Sequence, residues 1–329
     1  MQIAITGSIA TDHLMTFSGR FADSLVVEQL DKISLSFLVE ELVVRRGGVG
    51  ANIAFGMGNL GLRPLLVGAV GADFAEYRSW LERHGVDTGH VHVSELRHTA
   101  RFVCTTDTDQ AQIASFYAGA MSEAREIELS PLADRVGGLD LVLIGANDPE
   151  GMLRHTQECR ERGYPFVADP SQQLAFSNGP TIRQLIQDAT YLFSNEYEAA
   201  LTEQKTGWSA EEILALVGTR VTTLGAQGVR IERKGEPSIH VAVARELRKA
   251  DPTGVGDAFR AGFLAGLSWQ LPLQRCAEVG SMLATYVVET IGTQEYTLVP
   301  QEFLQRLSQA YGEQSAADVA PHLRGPRRP

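Results

Sequence analysis

The chain has 329 residues, enough to bury one substantial core and suited to one large α/β domain with a small appendage. Hydrophobic residues make up 44% and charged residues 21%, which excludes general disorder, and a formal net charge of −11 excludes the basic footprint that nucleic acid or an anionic membrane requires. Small molecules remain as partners, including anionic ones wherever local amides or a divalent metal outweigh the negative field.

The opening MQIAITGSIATDHL has no basic region followed by an apolar run, and nowhere do about 18 apolar residues follow one another, so a cytoplasmic chain without a targeting or spanning segment is expected. QIAIT reads as a short buried strand. DHLMTF, SLSF and ELVVRR then read as short strands without helices between them, as does HTARFVCTTDTDQAQIASFY from His98. Residues 12–46 and 98–118 are therefore expected to form a small β-lid. The large domain would comprise 1–11, 47–97 and 119–318, with a binding cleft between the two units. Asp12 follows the first strand, where a carboxylate either accepts two hydrogen bonds from vicinal ribose hydroxyls or caps a turn. GMGNLG, Gly56 to Gly61, matches GxGxxG but follows a helix-like segment and precedes a strand, the reverse of a dinucleotide site. His90, His92 and His98 lack a fourth ligand and read as a solvated face.

Further along, DLVLIGA from Asp140, PFVAD from Pro165, ATYLFSN from Ala189 and RVTTLG from Arg220 read as strands. NDPEGMLRHTQECRERG and NEYEAALTEQKTG read as helices that end in glycine. This alternation implies a parallel sheet covered on both faces. Cys104, Cys159 and Cys276 are odd in number and far apart, which suggests neither a zinc site nor a disulfide framework. The Pro-, Gly- and Arg-rich end makes 319–329 a frayed tail.

The chemistry concentrates in DPTGVGDAF, Asp251 to Phe259. Pro252 disfavours a helix at Asp251, Gly254 and Gly256 permit close ligand approach, and a helix is expected to begin near Asp257. Free amides of Gly254, Val255 and Gly256 at that N-terminus would make an anion hole. A carboxylate beside an anion hole opposes simple phosphate binding, but it suits phosphoryl transfer, where Asp257 orients a hydroxyl and accepts its proton. The plain alternative is that Asp257 caps the helix. Neither a Walker A lysine motif nor GxSxG occurs.

This segment resembles the C-terminal signature of the ribokinase, or PfkB, family of carbohydrate and nucleoside kinases. RRGGVGANIAFGMGNLG, Arg45 to Gly61, is similar to the family's N-terminal glycine motif. NEYE resembles its NxxE motif and TTLGAQG its ATP-binding turn. The resemblance implies a ribokinase-like three-layer α/β/α domain with a mostly parallel central sheet plus the small β-sheet lid. Gly47, Gly48 and Asn52 would then meet the acceptor. Asn195 and Glu198 would order Mg2+ through water, and Asn195, Thr223, Gly225, Gly228 and Gly256 would hold ATP. A monovalent cation such as K+ would sit near Asp251, Thr253 and Gly292. Val255 departs from the smaller residue usual in the anion hole, although its amide is unaffected.

GSIATDHLM, ISLSFLVEELV, ARFVCTTDTDQAQIASFY, ADPSQQL and TGVGDAFRAGFLAGL resemble more narrowly the mycobacterial-type adenosine kinases of that family. That implies ribose contacts from Ser8, Asp12, Gly48 and Asn52, with Ser36 reaching in from the lid. It also implies adenine contacts from Phe102, Phe116, Gln172 and Gln173. Aromatic faces suit a purine and amides suit its edge, although the two phenylalanines also read as core residues of a small sheet. The expected partners are adenosine and ATP, with AMP and ADP as products. The alternatives are a kinase for another ribonucleoside, ribose or fructose, and a non-catalytic nucleoside-binding homologue. Open lid edges suggest a homodimer through the lid.

Overall fold

Residues 1–25, 31–32 and 34–323 are described by the computed structural model. Short, continuously apolar segments such as Ile3–Thr6 and Leu141–Gly145 are buried along their whole length, as strands covered on both faces must be. They belong to an eight-stranded sheet whose spatial order is Ile239–Val241, Val229–Glu232, Thr219–Thr223, Tyr191–Asn195, Phe166–Asp169, Leu141–Gly145, Ile3–Thr6 and Leu65–Val67. All neighbours are parallel except the first two pairs, which are antiparallel. One apolar cluster, with Phe55, Phe259, Phe263 and Leu283, and another, with Val142, Ile144, Phe166 and Ile182, form the core.

The helices follow their punctuation. Asp148 accepts the Gly151 amide at 3.0 Å to start Pro149–Arg162, and Gly163 ends it with a left-handed φ of 70°. The last segment departs from expectation. Val319 is fully buried and Leu323 nearly so, because the helix Glu313–Val319 packs its apolar residues into the core, so 319–323 are not a frayed tail. Residues 324–329 lie outside the described residues.

The lid is a four-stranded sheet in the order Glu41–Gly47, Ala10–Thr16, Ala100–Thr106 and Gln112–Tyr117. SLSF forms no strand there. Phe37 instead sets its ring against Phe17 and Phe21, each 4.9 Å away between centroids, so this apolar residue of SLSF serves a small aromatic cluster. A parallel two-stranded ladder of Ala69–Gly71 with His92–Ser94 was not anticipated. His92 lies 3.0 Å from Glu123 and His98 lies 3.7 Å from Asp73, and the described residues contain no cluster of three metal-ligating side chains.

Candidate active site

The strand order reverses beside Ile3–Thr6: the next strand of the main sheet, Leu65–Val67, lies on one side and the one after it, Leu141–Gly145, on the other. A crevice opens at the carboxyl ends of strands where such a reversal occurs. Ser8, just past the first strand, and Ala146 and Asn147, just past the second, line a cavity of about 450 Å³ there. The lid closes its other side. Asp12, Phe102, Phe116, Gly47, Gly48, Asn52, Gln172 and Gln173 all line it, so the structure brings together every acceptor-site residue expected from sequence except Ser36. Ser36 is exposed and does not line the cavity, because Phe37 anchors its segment to the aromatic cluster instead. Phe116 is 55% exposed, which is a cavity-lining rather than a core position.

A second cavity, of about 500 Å³, is lined by Asn195, Glu198, Thr223, Gly225, Gly228, Val255 and Gly256. These come from the carboxyl ends of Tyr191–Asn195 and Thr219–Thr223 and from the start of the helix Val255–Ser268. That helix begins two residues before the expected Asp257. Gly254 makes this turn with a left-handed φ of 76° and lines the first cavity, while Val255 and Gly256 line the second, with the Val255 amide 3.4 Å from the Pro252 carbonyl. Gly48 likewise has φ of 96°, and a Cβ there would lie 2.5 Å from the Ser8 carbonyl oxygen. Asp257 lines both cavities.

Burial pushes the Asp257 carboxyl up to about 6. The Asn52 amide, which donates to Asp257 Oδ2 at 2.8 Å, and the Arg260 charge pull it down, while Asp169 and Glu198 push it up. Arg260 and Asp169 form a buried ion pair, with Arg260 Nη2 donating to Asp169 Oδ1 at 2.7 Å, and Arg260 Nη1 also donates to the Gly256 carbonyl. The pair fixes the first turn of the helix to the end of the strand Phe166–Asp169. Burial also raises the Asp12 carboxyl, against the opposing charge of Arg45.

Asn195 and Glu198 form a reciprocal capping box: each side chain accepts the other's backbone N–H at 2.8 Å. The sequence reading missed this second role. Lone pairs remain on both side chains, so the donor set fits a magnesium ion held through water, in keeping with that ion's water-rich octahedral shell. Asp251 accepts the amides of Thr253 at 2.9 Å and Gly292 at 3.1 Å, which joins the two loops expected to flank a monovalent cation. Burial raises the Asp251 carboxyl, but these hydrogen bonds and the Arg45 charge outweigh it and leave the group below its ordinary value.

Several site residues escaped the sequence reading. Asn147 lines the first cavity almost wholly buried, and its Nδ2 has no partner among the described residues. Thr293 and Gln294 contact Asn52, and Tyr77 lies behind Gln294. TQE was legible only as a loop, and nothing local tied Tyr77 to it.

A family model described as pfkB family carbohydrate kinase matches residues 13–300. A nucleoside kinase of Methanocaldococcus jannaschii is 27% identical over 93% of this chain and 96% of its own. The structure of Burkholderia thailandensis nucleoside kinase in ligand-free form is 34% identical, with a TM-score of 0.85 over 93% of this chain and 99% of that one. The same protein in complex with inosine gives 33% and 0.81 over 94% and 99%. The fold is ribokinase-like, and the chain belongs to the pfkB family of carbohydrate kinases.

Proposed function

We propose that this family member is an adenosine kinase, transferring the γ-phosphoryl group of ATP to the 5′-hydroxyl of adenosine to give AMP and ADP. The observation that carries the reading is the position of Asp257 on the shared wall of two cavities. One is lined by two aromatic rings and two carboxamides, the other by glycines and a helix N-terminus. Adenine stacks against Phe102 and Phe116 and meets Gln172 and Gln173 at its edge, while Asp12 and Asn52 hold the ribose hydroxyls. Ionised Asp257 takes the 5′-hydroxyl proton as the new O–P bond forms and the bond to the β-phosphate bridge breaks. The amides of Gly254, Val255 and Gly256 hold the charge on the transferring group. Magnesium, when bound near Asn195 and Glu198, neutralises phosphate charge.

Three further parts belong to this reading. Lid closure excludes water from the transferring group. The loops joined through Asp251 and Gly292 suit potassium, and unchanged turnover with a bulky organic cation in its place overturns that assignment. Leu42, Val44, Ile113 and Tyr117, all exposed, lie on the lid's strands and suit a homodimer, against which a monomeric mass by light scattering would count.

A second reading is phosphorylation of another ribonucleoside. The carboxamides of Gln172 and Gln173 can present either a donor or an acceptor, so they accept the amino edge of adenine or the carbonyl edge of hypoxanthine. ATP-dependent conversion of adenosine, inosine, ribose and fructose in parallel decides between them. Adenosine is expected to give the highest kcat/KM. A higher value for inosine moves the substrate within the same site, and tight adenosine binding without turnover of any compound sinks the kinase reading. In the same assay kcat/KM is expected to fall about tenfold per pH unit below about pH 6, as protonation of Asp257 removes the base. A flat profile down to pH 4.5 excludes the raised carboxyl as the base.

A further inference from the structure

Asn52 Nδ2 donates to Asp257, and the reverse orientation of that amide would place a carbonyl oxygen against a carboxylate. Its orientation is set from behind. Asn52 Oδ1 accepts from Gln294 Nε2 at 2.9 Å and lies 3.0 Å from Thr293 Oγ1, whose single hydrogen is shared with the Arg46 carbonyl, also at 3.0 Å. Gln294 is in turn fixed at every polar atom. Its Nε2 also donates to the Tyr77 hydroxyl at 2.6 Å, and its Oε1 accepts from Trp80 Nε1 at 3.1 Å. Tyr77 donates to the Gly47 carbonyl at 2.9 Å. Gln294 is 1% exposed, Tyr77 4% and Asn52 8%, so no water supplies an alternative partner without disrupting packing.

We infer that Gln294 is a positioning residue for the reaction: by donating to Asn52 Oδ1 it fixes the Asn52 amide so that its N–H points at Asp257 and holds that carboxylate aligned toward the acceptor hydroxyl. The inference rests on Asp257 as the base. Gln294 touches neither cavity and acts only through Asn52. Without the Gln294 donor, the Asn52 amide can turn its oxygen toward Asp257, and the base is then protonated at higher pH. The other charged groups facing Asp257 are Arg260 from its own helix, Asp169 from the end of its strand and Glu198 from the capping box, with Asp12, Glu246 and Lys249 across the cavities. None of them changes when Gln294 does.

The test is the pH profile of kcat/KM, with ATP and whichever of adenosine or inosine is turned over, for Gln294→Met, Thr293→Val, Asn52→Leu and the Gln294→Met/Asn52→Leu pair. Gln294→Met is expected to move the acid limb upward by at least half a pH unit, so that activity falls at least about twofold more at pH 6 than at pH 8.5. Thr293→Val moves it the same way and carries the test if Gln294→Met does not fold. Adding Gln294→Met to Asn52→Leu moves the limb no further, because the route through Asn52 is already cut. An unmoved limb in folded Gln294→Met, or a shift that adds to that of Asn52→Leu, overturns the inference. Undiminished turnover in Asp257→Asn would instead remove the base reading, so the two failures are distinguishable.

Discussion

Replacing Asp257 with Asn lowers turnover by roughly two to four orders of magnitude, the usual worth of a positioned general base, while nucleoside binding persists. The amide keeps the shape of the carboxylate and can still accept from Asn52 through its own oxygen, so the cavity is preserved. What is lost is the capacity to take a proton. The substitution is also expected to leave the protein at least as stable at pH 7.5. A carboxyl raised in the folded state above its ordinary 3.8 to about 6 binds its proton more tightly folded than unfolded, so folding is favoured at low pH and weakened as pH rises from about 4 through 6. Asn removes that penalty. Steady-state turnover, calorimetric binding of the nucleoside and thermal unfolding on the same preparation check all three parts. A loss of less than tenfold in kcat would show that Asp257 is not the base.

Replacing Asp169 with Ala costs about 3–5 kcal/mol of stability, the effect of leaving one half of a buried ion pair without its partner. Arg260 is 5% exposed and Asp169 is fully buried. Arg260 would be left with Glu198 at 4.0 Å and the Gly256 carbonyl, neither of which replaces the two-point contact it has with Asp169. Urea unfolding of the variant measures the loss. A change below about 1 kcal/mol would mean that water or Glu198 takes over the guanidinium and that the pair contributes little.

Much of this site was legible because its glycines and caps are local. Gly254 and Pro252 announce a turn into a helix, Gly163 and Gly207 announce helix ends, and continuous apolar runs announce buried strands. SLSF looks like a strand from its period of two, but it forms none because Phe37 enters an aromatic cluster with Phe17 and Phe21 with no strand beside it. Asn195 and Glu198 were read only for phosphate chemistry, although their spacing is also that of a capping box, which the structure shows. The network behind Asn52 was not legible at all. Tyr77 and Gln294 stand 217 positions apart, and neither residue type in its own setting signals a buried polar contact. Arg260 and Asp169, 91 positions apart, are hidden for the same reason.

The two cavities draw on different residues, mostly from different parts of the chain. Residues lining only the first come from the segment 8–176 together with the loops at 253–254 and 293, while those lining only the second come from Ser171 and the segment 195–288. Asp257 is common to both. Under the proposed function, substitutions in the small sheet and the early strand ends fall on the acceptor side of Asp257, and substitutions at 195–249 fall on the ATP side. A change of acceptor would then be written on one side of that shared residue alone.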